Sequence, residues 1–220
     1  MSGIKRIIFH WAVTKYKTTE LARKHYHAVV EGDGKIIDGI FPVEANISPK
    51  KGAYAAHTLN CNTGSAAISA AAMFGAKSVT DYGQFPITEK QFNAMCYRAA
   101  EWCIKYKIPV TNKTVLSHAE VQKNLGIKQR GKWDIAVLPF ANLKTAEECG
   151  WLIRKTVQKY IDQIQKPVSL QSIVEKPIPV VPAKPKVTPT QVAVGTTVAV
   201  GVVASATWWD KISNWFGSFF

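Results

Sequence analysis

Short apolar runs along the chain predict a set of buried strands. Residues 4–10 are mostly β-branched or aromatic and end in a histidine, a pattern that favours a buried strand. Residues 25–37 predict a hairpin, because two apolar segments flank a Gly-Asp-Gly turn. The alanine-rich segment 66–74 fits a helix or a strand, and the turn-like segments on both sides favour a strand. Residues 115–117 predict another short strand, which ends directly before a histidine.

Two longer segments carry apolar residues at three- and four-residue spacing, which predicts amphipathic helices. The first covers residues 88–107 and begins with a capping box of Thr88 and Gln91. The second begins with a box of Thr145 and Glu148, and it is expected to close the folded domain.

Two smaller features are predicted between these elements. Thr18 or Thr19 can cap a short helix that runs to Lys24. The polar segment 42–54 contains a proline and a glycine, and it is expected to be an exposed loop.

The composition changes after residue 166. Residues 167–190 contain six prolines, which predicts a semi-rigid linker that is partly polyproline II. Residues 192–209 carry no formal charge over 18 residues, at the lower edge of the length that spans a bilayer. Aromatic residues then recur at three- and four-residue steps, as in a helix at a membrane interface. We therefore expect a domain in 1–166, a linker in 167–190, and an apolar, helical, membrane-interacting tail in 191–220; packing of the tail on another subunit is the alternative.

The net charge of +13 is unusual for a chain of 220 residues. Without the four lysines and two acidic residues of residues 167–220, residues 1–166 still carry about +11 by residue counting. Such a charge favours an anionic partner, and nucleic acid, anionic lipid and the bacterial wall all qualify. The charge alone does not choose among them.

The cysteines and the N-terminus give two further expectations. The cysteines form no CxxC pair and are expected to be buried thiols rather than disulfides; they are Cys61, Cys96, Cys103 and Cys149. The first 14 residues lack the features of a signal peptide. We therefore expect synthesis in the cytoplasm, and release by another agent or by the tail if the protein acts outside it.

His10, His118 and Asp134 are the candidate metal ligands. Each histidine ends a predicted strand, and Asp134 follows in the segment GKWDI. A catalytic zinc site uses three protein ligands and leaves one position for water. No compact HExxH motif is present, so spacing alone favours ordinary core or surface roles for these residues.

Five segments that follow one another along the chain favour metal ligation over those ordinary roles. They are IIFHWAVT, HYHAVVEGDGKIIDG, AAHTLNCNTGSAAISAA, VLSHAEV and GKWDI. Together they resemble the type 2 N-acetylmuramoyl-L-alanine amidases, a family that includes phage endolysins, bacterial autolysins and peptidoglycan recognition proteins. The resemblance covers roughly residues 4–165. It implies an α/β (α+β) fold with a central mixed β-sheet, flanking helices and a zinc cleft. It also implies Zn²⁺ as cofactor and peptidoglycan as partner.

The resemblance also implies roles for single residues. His10, His118 and Asp134 correspond to the zinc ligands. Lys132 and Tyr26 correspond to catalytic residues, the lysine for the oxyanion and the tyrosine for the water or a proton. Glu31 is an alternative base to Tyr26. His57 and Asn62 fall at the family's Asn-containing turn and are expected to contact substrate.

Two segments depart from the family pattern. Residues 66–72 are alanine-rich where the family has Ile, Val and Gly. Residues 120–130 are rich in Lys and Gln rather than Pro and Gly, which bears on the assignment of Asp134.

The expected function is therefore that of a zinc-dependent peptidoglycan amidase, which cleaves the amide bond between N-acetylmuramic acid and L-alanine. A phage-type lysis enzyme acting on the wall in the periplasm is the expected setting. The first alternative is a peptidoglycan-binding protein without catalysis. The second is a basic nucleic-acid-binding protein with a membrane anchor, which only the charge supports, so no specific nucleic acid is expected.

Overall fold

The described part of the chain, residues 3–166 of the computed structural model, is built on one five-stranded mixed sheet. The strands are β1 (Arg6–Trp11), β2 (Ala28–Val30), β3 (Ile36–Asp38), β4 (Ser65–Ala70) and β5 (Val115–Ser117). Their order across the sheet is β3-β2-β4-β1-β5. β1 is parallel to both β4 and β5, β2 is parallel to β4, and only the β2–β3 hairpin is antiparallel.

Four α-helices and two 3-10 turns complete the described domain. The helices are α1 (Glu20–His25), α2 (Glu89–Tyr106), α3 (His118–Leu125) and α4 (Ala146–Gln165). The 3-10 turns cover Val43–Asn46 and Pro139–Ala141. The predicted α/β class, with a central mixed sheet and flanking helices, is confirmed.

The alternation of side chains along β1 divides the core into two sides, since successive residues of a strand face opposite ways. Ile7, Phe9 and Trp11 belong to the main cluster, to which α2 and α4 also contribute. Ile8 packs instead with Val121 of α3 in a smaller cluster. His10 follows the same alternation as Ile8, and therefore lies on the side of the sheet away from the main core.

The alanine-rich segment forms the strand β4, as predicted, between β2 and β1. Every residue of β4 is buried. Small side chains suit this central position, because both faces of the strand are covered by other parts of the protein. Beyond the strand, the Gln91 side-chain amide donates hydrogen bonds to the carbonyls of Val30 and Ala71, which connects α2 to the ends of β2 and β4.

The predicted helix starts are confirmed, with one difference in detail. Thr88 and Gln91 form a reciprocal capping box at α2. Thr145 caps α4 by accepting from the Glu148 N–H, but the Glu148 carboxylate accepts from the Thr145 hydroxyl instead of from its backbone. Thr19 caps α1.

Two segments were not fully predicted. The first part of the Lys- and Gln-rich segment belongs to α3, which begins at His118, and the Glu120 carboxylate accepts from the Ser117 N–H at its start. The segment 42–54 contains a 3-10 turn, and Asn46 within it is fully buried. This polar residue can be buried because its side chain makes several hydrogen bonds.

All four cysteines are free and buried, as predicted. Within residues 3–166, no helix combines the length and apolar character needed to cross a membrane. The predicted linker (167–190) and tail (191–220) lie outside the described residues.

Candidate metal centre

Three predicted ligands meet on the side of the sheet away from the main core. The Nδ1 atom of His10 lies 2.8 Å from Oδ2 of Asp134, and Nδ1 of His118 lies 3.1 Å from the same oxygen. One nitrogen or oxygen atom from each residue falls within a group spanning no more than 4.8 Å. All three side chains are buried.

The parallel strands explain how residues 108 positions apart in the chain become neighbours. Phe9 of β1 is paired with Ser117 of β5. The next residue in each segment is a candidate ligand, so His10 and His118 lie side by side, with ring centroids 4.7 Å apart.

Two contacts bring Asp134 to the histidines. The Ala119 N–H, in the first turn of α3, donates to the Asp134 carbonyl at 2.7 Å. The neighbouring Trp133 packs edge-on against Trp11 of β1, with ring centroids 4.9 Å apart. The hydrogen bond holds the backbone of this segment, and the tryptophan contact anchors the segment to the core. The Asp134 carboxylate is thereby placed between the His10 and His118 rings.

The outer nitrogen of each histidine also has a polar neighbour. Nε2 of His118 lies 2.9 Å from Oε1 of Gln129, and Nε2 of His10 lies 3.4 Å from the Thr58 hydroxyl. In a neutral imidazole, one nitrogen carries a hydrogen and the other a lone pair. With Nε2 donating to these oxygens, the Nδ1 atoms, which both lie beside Asp134, are the nitrogens that can give a lone pair to a metal.

The electrostatics of the cluster suit a bound cation. Burial lowers the pKa of His10, although Asp134 opposes the effect. Burial acts to raise the pKa of Asp134, but hydrogen bonds with His10 and His118 lower it to about 2. The hydrogens that the two rings share with the Asp134 carboxylate occupy the place that a cation would take between the three groups. The two nitrogen donors and one oxygen donor fit zinc, which accepts His and Asp ligands in sites of this kind.

Tyr26 lies beside the candidate ligands, directly after α1. Its ring centroid is 5.1 Å from that of His10. Burial and the nearby charge of Asp134 raise the pKa of the phenol, whereas a hydrogen bond with Ser69 lowers it. The net shift is upward, so the hydroxyl keeps its proton at neutral pH and can donate it in a hydrogen bond.

Glu31, the alternative base, has other partners. Its carboxylate accepts from the Lys17 ammonium at 2.9 Å and from the Thr18 N–H at 2.9 Å. The hydrogen bond from Thr18 is the main cause of its lowered pKa. These contacts favour Tyr26 over Glu31 as the neighbour of the ligand cluster.

Lys132 is exposed, two residues before Asp134. Its positive charge is one of the influences that lower the pKa of His10. The ammonium therefore acts electrostatically on the cluster while remaining accessible to a substrate.

The structure places His57 and Asn62 in a loop next to His10. The His57 ring lies 5.4 Å from the His10 ring, and its Nδ1 is 2.7 Å from the Thr58 hydroxyl. The Asn62 side-chain oxygen accepts from the backbone N–H groups of His57 and Thr58, both at 2.9 Å. Both side chains thus organise the loop, and their contact with substrate stays a prediction.

Sequence reasoning missed Gln129 and Thr58. Thr58 directly follows a predicted site residue, which is a weak signal. Gln129 lies in the segment that departs from the family pattern, and nothing in its local sequence distinguishes it from the other glutamines nearby. Only the folded chain brings its amide to His118.

Comparison with known proteins identifies the family of the chain. The family model for N-acetylmuramoyl-L-alanine amidase matches residues 2–134. No match was found among curated proteins. The hydrolase AmiA of Staphylococcus aureus, solved in complex with its ligand, is 15% identical, with a TM-score of 0.51 over 76% of this chain and 78% of that chain. This likeness shows a shared fold.

The amidase LysC from Clostridium intestinale URNW is 16% identical, with a TM-score of 0.41 over 64% of this chain and 83% of that chain. The family match covers more than half of the chain and ends at Asp134, the last of the three candidate ligands. The chain belongs to the N-acetylmuramoyl-L-alanine amidase family.

Proposed function

We propose that this protein is a zinc-dependent peptidoglycan hydrolase that cleaves the amide between N-acetylmuramic acid and L-alanine. Family membership supports an amidase or a peptidoglycan-binding protein. The convergence of His10, His118 and Asp134 within 4.8 Å is the observation that supports catalysis over binding alone. A site with three such ligands is typical of catalytic zinc, because a position is left for water or substrate.

His10, His118 and Asp134 would hold the metal. Zinc bound there would supply Lewis-acid chemistry, polarising a carbonyl and lowering the pKa of water to about 7. The protein keeps the ligands ready for it, since the imidazole of His10 stays neutral and Asp134 stays ionised at neutral pH.

Tyr26 and Lys132 would act on the substrate itself. As water adds to the amide carbon, negative charge develops on the carbonyl oxygen, and the exposed Lys132 ammonium would stabilise it. The C–N bond then breaks, and the L-alanine nitrogen needs a proton. Tyr26 keeps its hydroxyl protonated and would orient the water or relay that proton.

Mass analysis of muropeptides released by wild type and by His118→Ala tests the proposal. Wild type should release stem peptides that begin with L-alanine, together with peptide-free glycan. Removal of one ligand should abolish release and zinc binding. Chelation should stop cleavage by wild type, and added zinc should restore it.

His25→Ala is a matched control, because His25 is a histidine outside the ligand cluster that hydrogen-bonds the Ala56 carbonyl. This variant should keep a full equivalent of zinc. Cleavage that is indifferent to chelators would overturn zinc dependence. Binding of peptidoglycan by wild type without any cleavage would favour the non-catalytic alternative.

The setting that we propose is a phage-type lysis enzyme, made in the cytoplasm and acting on the wall in the periplasm. The high positive charge supports attraction to an anionic wall. The Pro-rich segment 167–190 and the apolar, aromatic segment 191–220 support contact with a membrane.

A further inference from the structure

We propose that Gln129 is a positioning residue that fixes the tautomer of His118 needed for metal binding at Nδ1. The inference rests on the proposed function in that His118 is taken as a metal ligand. Gln129 is 3% exposed, and it lies in the loop after α3. It does not reach the candidate metal position itself, and acts only through the outer nitrogen of His118.

The orientation of the Gln129 amide follows from its three hydrogen bonds. Its Nε2 donates to the carbonyls of Leu59 and Ile127, at 2.9 and 3.2 Å. An amide NH₂ group has two hydrogens and the amide oxygen has none. The reversed amide would set its oxygen against two carbonyls, so Oε1 is the atom that faces His118.

This orientation determines where His118 carries its hydrogen. Oε1 of Gln129 only accepts hydrogen bonds, and it lies 2.9 Å from Nε2 of His118. Nε2 therefore carries a hydrogen, and Nδ1, which lies 3.1 Å from Asp134, is the nitrogen that can give its lone pair to a metal. Outer hydrogen bonds of this kind fix both the tautomer and the ring orientation of histidine ligands.

Gln129 also connects the two segments that provide polar neighbours for the outer nitrogens of His10 and His118. Leu59, which accepts from its amide, follows Thr58 in the chain. The Thr58 hydroxyl is the polar neighbour of Nε2 of His10, at 3.4 Å. The loop that supports His10 is thus tied to the side chain that supports His118.

Two substitutions separate positioning from a purely structural role. Gln129→Met removes the acceptor facing His118, whereas Gln129→Glu keeps an oxygen there. Both lose the hydrogen bonds to Leu59 and Ile127, and the glutamate also places a carboxylate near those carbonyls. A structural role alone therefore predicts that the glutamate variant is no better than the methionine variant.

We expect the opposite order in zinc affinity, measured by competition with a chromophoric chelator. Gln129→Met should bind zinc about 10–100-fold more weakly than wild type, the usual cost of losing an outer partner of a ligand. Gln129→Glu should bind more tightly than Gln129→Met. Gln122→Met is the matched control, since Gln122 supports the same loop by accepting from the Gln129 N–H but does not face His118.

The tautomer can be read directly from the ¹⁵N chemical shifts of the His118 ring in the metal-free protein. Wild type and Gln129→Glu should show a hydrogen on Nε2, whereas in Gln129→Met the hydrogen should move to Nδ1, which faces the Asp134 carboxylate. Equal zinc affinity and an unchanged tautomer in Gln129→Met would overturn the inference, as would an equal loss in Gln122→Met. If wild type binds no zinc, the proposed function fails, and the metal-free tautomer still decides the role of Gln129.

Discussion

His27 is a buried histidine whose ring is hydrogen-bonded in its neutral form, and it couples stability to pH. Nδ1 of His27 accepts from the Ala67 N–H at 2.9 Å, and its Nε2 lies 3.1 Å from the Asn46 side-chain oxygen. Burial lowers the pKa of His27 to about 4. The folded protein therefore resists protonation of this ring at pH values where the unfolded chain accepts it.

We predict that His27 makes the folded state less stable as the pH falls from about 6.5 to about 4. The unfolded state binds more protons in that window, so the free energy of unfolding rises with pH there. The contribution of His27 is up to about 3 kcal/mol over the whole window. Urea unfolding of metal-free wild type and His27→Gln at several pH values measures it.

The comparison with His27→Gln is needed because burial also lowers the pKa of His10 and His57. The stability difference between the two proteins should shrink as the pH falls. A difference that stays constant from pH 7.5 to 4.5 would contradict the assignment to His27.

Between elements, Gly150 allows α4 to approach α3 closely. A Cβ atom at this position would collide with the Glu120 carboxylate. Glu120 is buried, accepts from the Ser117 N–H at 2.9 Å and pairs with Arg154 at 3.0 Å. Because Ser117 precedes His118, this contact also fixes the start of the helix that carries a candidate ligand.

We predict that Gly150→Ala destabilises the protein, although alanine is the better helix former by about 1 kcal/mol. The added methyl group would displace a buried ion pair, and overpacking alone costs about 1–3 kcal/mol. Denaturant unfolding should show a net loss of about 2 kcal/mol. Gln163→Ala, at an exposed position of the same helix, should change stability by less than about 0.5 kcal/mol. Stabilisation by Gly150→Ala would refute the prediction.

The elements that the sequence predicted are those with a strong local signal. The capping box of Thr88 and the apolar spacing that follows it define α2 without any tertiary information. α3 carries the same signal in Ser117 and Glu120, but it is short and polar, and its few apolar residues give little periodicity. A search for Ser-x-x-Glu would have found its start.

In the candidate site, the three ligands were predicted from the sequence, but Gln129 was not. The family resemblance brought His10, His118 and Asp134 forward together, whereas spacing alone did not. Gln129 depends on a contact with the carbonyl of Leu59, 70 residues away in the chain. A backbone carbonyl is present at every residue, so no sequence pattern reveals which one will meet a given amide.

For the whole molecule, we predict that the charge and the C-terminal segment contribute separately to membrane binding. Residues 1–166 carry about +11 by residue counting, and attraction to an anionic surface is screened by salt. The segment 191–220 is apolar and aromatic, and its insertion into lipid would depend little on salt.

We predict that full-length protein cosediments with zwitterionic liposomes at high salt, and that a chain truncated after Gln165 does not. The truncated chain should bind only anionic liposomes, and only at low salt. Vesicle sedimentation at two salt concentrations measures both. Equal partitioning of the two chains into zwitterionic vesicles would refute the role of the tail.

The strand order also has a consequence for the time at which the site forms during synthesis. β1 is made first, yet both of its neighbours in the sheet, β4 and β5, are made later. Its pairing is therefore non-local, and such contacts slow folding because loop closure must precede them. The last ligand emerges 124 residues after the first. A ribosome-bound chain therefore cannot assemble the candidate ligand cluster until most of the domain has been translated, and the proposed metal could be bound only late in synthesis.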